Sequence, residues 1–181
     1  PGDLPDDEEA ASGLSSEIRE AEARYMPLQL RDTMEKTGYW GAVRVVPQGT
    51  KGGELLVRGS ILVSDGENLE LDITALDAAG NEWFSSTYEA KVSVEAYRGA
   101  GQSGQEVFQA LYNAIANDLT VHRATLTAED IATVRRVAAL RFADDLAPDA
   151  FSGYLQRSEG GQFAVTRLPA LDDPMYRRVN A

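Results

Sequence analysis

One histidine, no cysteine and several close pairs of carboxylates are the groups in this chain that could do chemistry. His122 stands in Val121-His122-Arg123, and a histidine acting as a general base needs an orienting partner and a nucleophile within reach. Serines are present, but none sits in a G-x-S-x-G nucleophile elbow. A histidine-based zinc site lacks ligands. The reading that fits His122 is a surface or helix-end residue, its charge suited to a helix C-terminus. Carboxylate pairs of the kind that hydrolyse glycosides occur at Asp65/Glu67, Glu70/Asp72 and Asp144/Asp145. Each has a simpler local role: turn chemistry, the wet face of a strand, and a helix exit. A D-x-D-x-D-G calcium loop is absent, and the glycines of Gln48–Gly53 do not form a G-x-x-x-x-G-K-[ST] phosphate loop. With no cysteine, disulfides, thiolate metal sites and cysteine nucleophiles fall away together. No catalytic, cofactor-binding or metal-binding residue is expected. What remains are large aromatics, Trp40, Trp83, Phe84 and Tyr97, as candidates for contact with a partner.

The element that must position those aromatics runs from Glu54 to Tyr88. Three β-rich runs are separated by Asp65-Gly66-Glu67-Asn68 and Asp77-Ala-Ala-Gly-Asn81, the signature of consecutive hairpins. Leu69, Leu71, Ile73 and Ala75 alternate with Glu70, Asp72 and Thr74, so one face is apolar and the other wet. Gly59 marks a bulge or a close backbone approach. Trp83 and Phe84 are adjacent and point to opposite faces: one joins the core, and the other is either covered by a helix or bare. A short strand is expected at Ala42–Val46, closed by Pro47, and Val92, Val94 and Ala96 continue the third run before a glycine- and serine-rich loop at Arg98–Gly104.

Helices flank this meander. Ser15 and Ser16 can cap one that carries Glu17, Glu20 and Glu22 early, kinks or restarts at Pro27, and stops at Gly38. Val107, Phe108, Leu111, Tyr112, Ile115 and Leu119 form a helical stripe that contributes much of the core. Thr127-Ala-Glu-Asp130 resembles a capping box opening a helix through Phe142, and Pro148 starts a short helix carrying Phe151, Tyr154 and Leu155. Gln162–Leu168 alternates like a strand, and Asp172-Asp173-Pro174 begins a helix that the chain is expected to cut short. The class is α+β: a three- to four-stranded antiparallel meander sheet packed against amphipathic helices, with a mostly helical C-terminal extension. Residues 1–14 read as an acidic flexible tether, 15–126 as the core domain, and 127–181 as the extension with one short strand, packed on the core.

Twenty-nine acidic against seventeen basic residues give a net charge of −12. Such a surface repels phosphate backbones and anionic membranes, so nucleic acid is not an expected partner. No apolar run approaches the roughly 20 residues that span a bilayer. The start at Pro1 suggests that a signal peptide, a lipidated cysteine or another domain lies upstream.

A helix ending in Gly38, then Tyr39-Trp40-Gly41-Ala-Val-Arg-Val-Val-Pro47, then Leu55-Leu-Val-Arg-Gly-Ser-Ile61 resembles the TolB amino-terminal-domain type of module. That type is found also in the curli-secretion channel family and in lipoprotein activators of penicillin-binding proteins. The Asp77–Asn81 turn and the Val107–Leu119 helix extend the resemblance over about Tyr25 to Thr120. One departure is the lack of an apolar strand before the first helix. That strand lies upstream, or Phe163–Leu168 takes its place. The resemblance implies an envelope location, often through a lipid anchor at the outer membrane, and an accessory role through protein contacts. The expectation is a non-catalytic periplasmic module with a protein partner or a second copy of itself, reaching the membrane only through an anchor outside this chain. The competing expectations are a carboxylate-dependent cell-wall glycan hydrolase and a small-ligand binder near Trp83 or Tyr97.

Overall fold

The structure, a computed structural model, describes residues 7–50, 52–93, 106–170 and 172–179. The expected meander is its centre: β1 (Leu55–Ser64), β2 (Asn68–Asp77) and β3 (Glu82–Lys91) lie antiparallel in that spatial order. Alternation along β2 translates directly into burial. Leu69, Leu71, Ile73, Ala75 and Asp77 are buried, and the residues between them are only half covered. The β1–β2 turn is held by Asp65, whose carboxylate accepts from the Glu67 and Asn68 backbone N–H groups and from Asn68 Nδ2. Those bonds, the Asn68 side chain first, hold the Asp65 carboxyl below the usual range.

Two helices cover the apolar face. From α1 (Asp7–Lys36) come Met26 and Met34, and from α2 (Gln109–Thr125) come Leu111, Tyr112, Ile115, Ala116 and Leu119. At about 1.5–3 kcal/mol for each large apolar side chain, this layer dominates the stability of the domain. Polar ties fix its orientation: Glu22 accepts from Ser64 Oγ on β1 (2.6 Å), and Gln109 on α2 donates to Thr33 on α1 (2.9 Å). Tyr88 donates across to Asp118 (2.7 Å).

Two expectations for this half are corrected, the start of the first helix and the strand at Ala42–Val46, and for Gly59 one of the two readings is selected. The first helix begins at Asp7, inside the stretch read as a tether, and passes through Pro27 unbroken. Proline removes one N–H at a single point, and Met26, Thr33 and Met34 around it are buried, so no second helix restarts at Pro27. Its stop is as expected: Gly38 takes φ +64° and its N–H returns to Glu35 O. Ala42–Val46 forms no strand, and among the described residues the sheet has three strands. Only Val43 of that segment packs on the core, while Val45 and Val46 stay exposed. Gly59 is a close approach rather than a bulge, since a Cβ there would meet Ile73 Cδ1 at 3.1 Å. The continuation expected at Val94 and Ala96 lies outside the described residues.

The extension is built from α3 (Ala128–Leu146), α4 (Pro148–Phe151), β4 (Leu155–Arg157), β5 (Phe163–Val165) and α5 (Pro174–Val179). It contains a two-stranded hairpin where one strand was expected. Leu155 belongs to β4 because the helix from Pro148 lasts one turn and Gly153, at φ +88°, turns the chain. The α5 helix rests against α4 through Tyr176 and Phe151 (6.2 Å between ring centres).

The extension docks on the β2–β3 turn. Ala78 and Ala79 are buried against Val134, Val137, Leu155, Phe163 and Val165. Ala78 O accepts from Arg141 Nη1 (2.9 Å), and Ala79 O accepts from the Phe163 N–H (2.7 Å). Gly80 sits at φ +84°, and a Cβ there would meet Gly161 O at 2.7 Å. Gly66 has a similar φ of +90° but open space around it. Gly66→Ala should therefore cost about 1 kcal/mol for the backbone alone, and Gly80→Ala about 2–4 kcal/mol because the hairpin must also move. Urea unfolding of both variants measures this, and equal losses would mean that the hairpin does not seat on the turn.

Candidate functional site

At the Asp77–Trp83 end of the sheet the pairing register slips. Ala75 faces Phe84 but Leu76 faces Glu82, which leaves Trp83 as the extra residue of a β-bulge. This overturns the expectation that Trp83 and Phe84 point to opposite faces. Phe84 shares the core face with Ala75, and the bulge turns Trp83 so that it packs against the same core cluster.

Trp83 lies in a row of rings. The His122 imidazole stacks on it at 4.9 Å with 18° between planes, and Trp40 leans on it at 6.4 Å and 36°. Tyr39 meets Trp40 edge-on at 5.8 Å. The Arg123 guanidinium lies 5.0 Å from the Tyr39 ring and 5.8 Å from the Trp40 ring. Tyr39 and Trp40 arrive here because the Gly38 stop releases the chain from α1, and His122 and Arg123 because they occupy the last turn of α2. His122 is a helix-end residue, as its sequence context suggested. Among the expected contact residues, Trp40 and Trp83 come together, Phe84 belongs to the core, and Tyr97 lies outside the described residues. His122, read from the sequence only as a surface or helix-end residue, completes the ledge together with Tyr39 and Arg123, which were not contact candidates. His122 and Arg123 left one trace, their position after the apolar stripe.

Beside the ledge is a cleft of about 300 Å³ between the β2–β3 turn, the end of α2 and the start of α3. Trp83, His122, Leu126 and Val134 give it apolar walls, and Asp77, Glu82 and Asp130 give it carboxylates. Asp77, only 7% exposed, accepts from Asn81 N (2.9 Å), Asn81 Nδ2 (3.1 Å) and Trp83 Nε1 (3.4 Å). Asp130 belongs to a complete capping box: its Oδ2 accepts from the Thr127 N–H and hydroxyl, and Thr127 Oγ1 accepts from Asp130 N. The Thr127 hydroxyl, then its N–H, holds the Asp130 carboxyl below the usual range. A carboxyl so held is ionised and does not serve as a general acid near neutrality. The remaining carboxylate pairs stand in local positions, Asp65 in its turn, Glu70 and Asp72 on the half-covered sheet face, and Asp144 and Asp145 at the end of α3. Among the described residues, no group of three or more His, Asp or Glu side chains could hold a metal ion, and no helix is long and apolar enough to cross a membrane.

No protein-family model matches this chain, and no curated protein or solved structure is found to match it.

Two substitutions probe the site. Trp40 Nε1 is buried with no hydrogen-bond partner, so Trp40→Phe removes an unsatisfied donor and should be nearly neutral, within about 1 kcal/mol. His122→Ala removes the stacked ring and should cost about 0.5–1.5 kcal/mol beyond helix propensity, read by thermal unfolding. Loss of stability in the first and none in the second would contradict the ring geometry. The capping box adds a pH dependence. Because folding lowers the Asp130 carboxyl, its stabilising effect is full above the unfolded-state value of about 3.9 and fades as pH falls through the lower folded value. Thr127→Ala should cost about 1 kcal/mol at pH 7, and the gap to wild type should narrow below about pH 4. A gap that is constant with pH would separate Thr127 from the Asp130 titration.

Proposed function

We propose that this chain is a non-catalytic accessory module of a bacterial envelope assembly, held at the outer membrane through an anchor outside this sequence and acting through a protein partner. The observation that carries the reading is the Tyr39–Trp40–Trp83–His122 ledge with Arg123 laid across it. Tryptophan, tyrosine and arginine supply most of the hot-spot energy of protein interfaces, and here they are preassembled on rigid elements. Tyr39 is 42% exposed at the outer end of the row. The helix, strand and turn segments that resemble the TolB-type module supply the envelope location, and the three-stranded meander under two helices is compatible with it. The carboxylates of the cleft favour binding over hydrolysis, since Asp77 and Asp130 are engaged by local donors.

A photo-crosslinking side chain in place of Tyr39, expressed in the native host, should trap one protein of the membrane or cell-wall fraction. Arg123→Ala should reduce that yield about tenfold, the loss of one moderate hot spot. Trapping of soluble cytoplasmic proteins alone, or of nothing, would remove the reading.

A further inference from the structure

The cleft beside the ledge has a composition of its own. Its apolar walls are Trp83, Leu126 and Val134, and its charged lining is wholly acidic, from Asp77, Glu82 and Asp130. Among the described residues, no lysine or arginine lines it. Two cations next in sequence to lining residues are engaged elsewhere: Arg123 lies over Tyr39 and Trp40, and Arg135 pairs with Glu54 at 3.3 Å. Among the described residues Glu82 makes no side-chain hydrogen bond or ion pair, and Asp130 Oδ1 carries none of the capping bonds. Two carboxylates from different elements, β3 and α3, thus keep unused acceptor capacity around a slot whose inner walls are apolar.

A volume of about 300 Å³ is at the lower end of ligand pockets, the size for one side chain rather than for a cofactor. Anionic groups are repelled by three carboxylates. A purely apolar side chain would leave those carboxylates desolvated without compensation. A long side chain with an apolar stem and a cationic head matches both parts of the lining. Between the two natural candidates, arginine fits better than lysine. Its planar head is more weakly hydrated, stacks on aromatic rings and donates to two carboxylates at once.

We propose that the cleft takes an arginine side chain presented by the protein partner. This rests on the reading of the neighbouring aromatic ledge as a partner-facing surface, and it specifies the chemistry that the partner must bring. The ledge then supplies area and the cleft supplies specificity.

The probe is a short capped peptide of glycine and serine with one central arginine, compared with the same peptide carrying citrulline, a neutral isostere. The whole chain is titrated by NMR, reading the two tryptophan indole N–H resonances, with Trp40→Phe to assign Trp83. The arginine peptide should shift the Trp83 resonance saturably with a Kd on the order of 1 mM, and citrulline should not. Glu82→Gln, at an exposed position, should weaken binding about five- to tenfold, and added salt should weaken it further. Equal shifts from both peptides, no shift from either, or binding indifferent to Glu82→Gln would overturn the proposal. The two readings fail separately. A Tyr39 crosslink that survives Glu82→Gln keeps the ledge and removes the arginine site, whereas arginine binding with no crosslinked partner does the reverse.

Discussion

The turn between β2 and β3 is buried, although a turn ordinarily lies in solvent where water satisfies its backbone. Here several backbone groups of the turn are met by distant parts of the chain. Ala78 N donates to Glu54 O, Ala78 O accepts from Arg141, and Ala79 O accepts from the Phe163 N–H. Within the turn, Asp77 N donates to Asn81 O and Gly80 N to Asp77 O, while the Asp77 carboxylate holds Asn81. The two alanine methyls belong to the second apolar cluster, and the strands on either side of the turn belong to the first. Removing these partners would leave buried carbonyls unsatisfied, at about 1–3 kcal/mol each. Through this one turn the sheet and the extension become a single folding problem.

Charge takes a subordinate part in that cohesion. The ion pairs Arg24–Glu20 and Arg135–Glu54 are well exposed and worth little each. Three arginines of the extension lie on rings instead. Arg141 is 4.5 Å from the Phe163 ring centre, Arg157 covers the same ring at 5.6 Å, and Arg167 lies 4.1 Å from Tyr154. Such contacts keep guanidinium stems packed while their heads stay hydrated. Much of the acidic excess of the chain is left without a countercharge, so the surface as a whole repels anions.

Whatever depended on local periodicity was legible in the sequence. The face of β2, the α2 stripe from Leu111 to Leu119, the Thr127–Asp130 box and the Gly38 stop each follow from spacing within a few residues. What depended on a slip of register was hidden. The bulge at Trp83 changes which way one side chain points, and nothing in Glu82-Trp83-Phe84 distinguishes bulged from regular pairing. Pairings between distant segments were equally silent. Trp40, Trp83 and His122 meet only because a helix stop, a sheet end and a helix end converge. Ala42–Val46 shows the opposite failure: its β-rich composition is real, yet composition without a ladder partner does not make a strand.

The cleft has walls from both sides of the buried turn, Glu82 and Trp83 from the sheet, and Asp130, Thr133 and Val134 from α3. It exists only while the extension is seated. Occupancy of the cleft and seating of the extension are therefore linked equilibria, and each must favour the other by the same free energy. A partner that filled the slot as proposed would act as a clasp on the C-terminal third of the chain, and loosening that third elsewhere on its surface would weaken the grip on the partner.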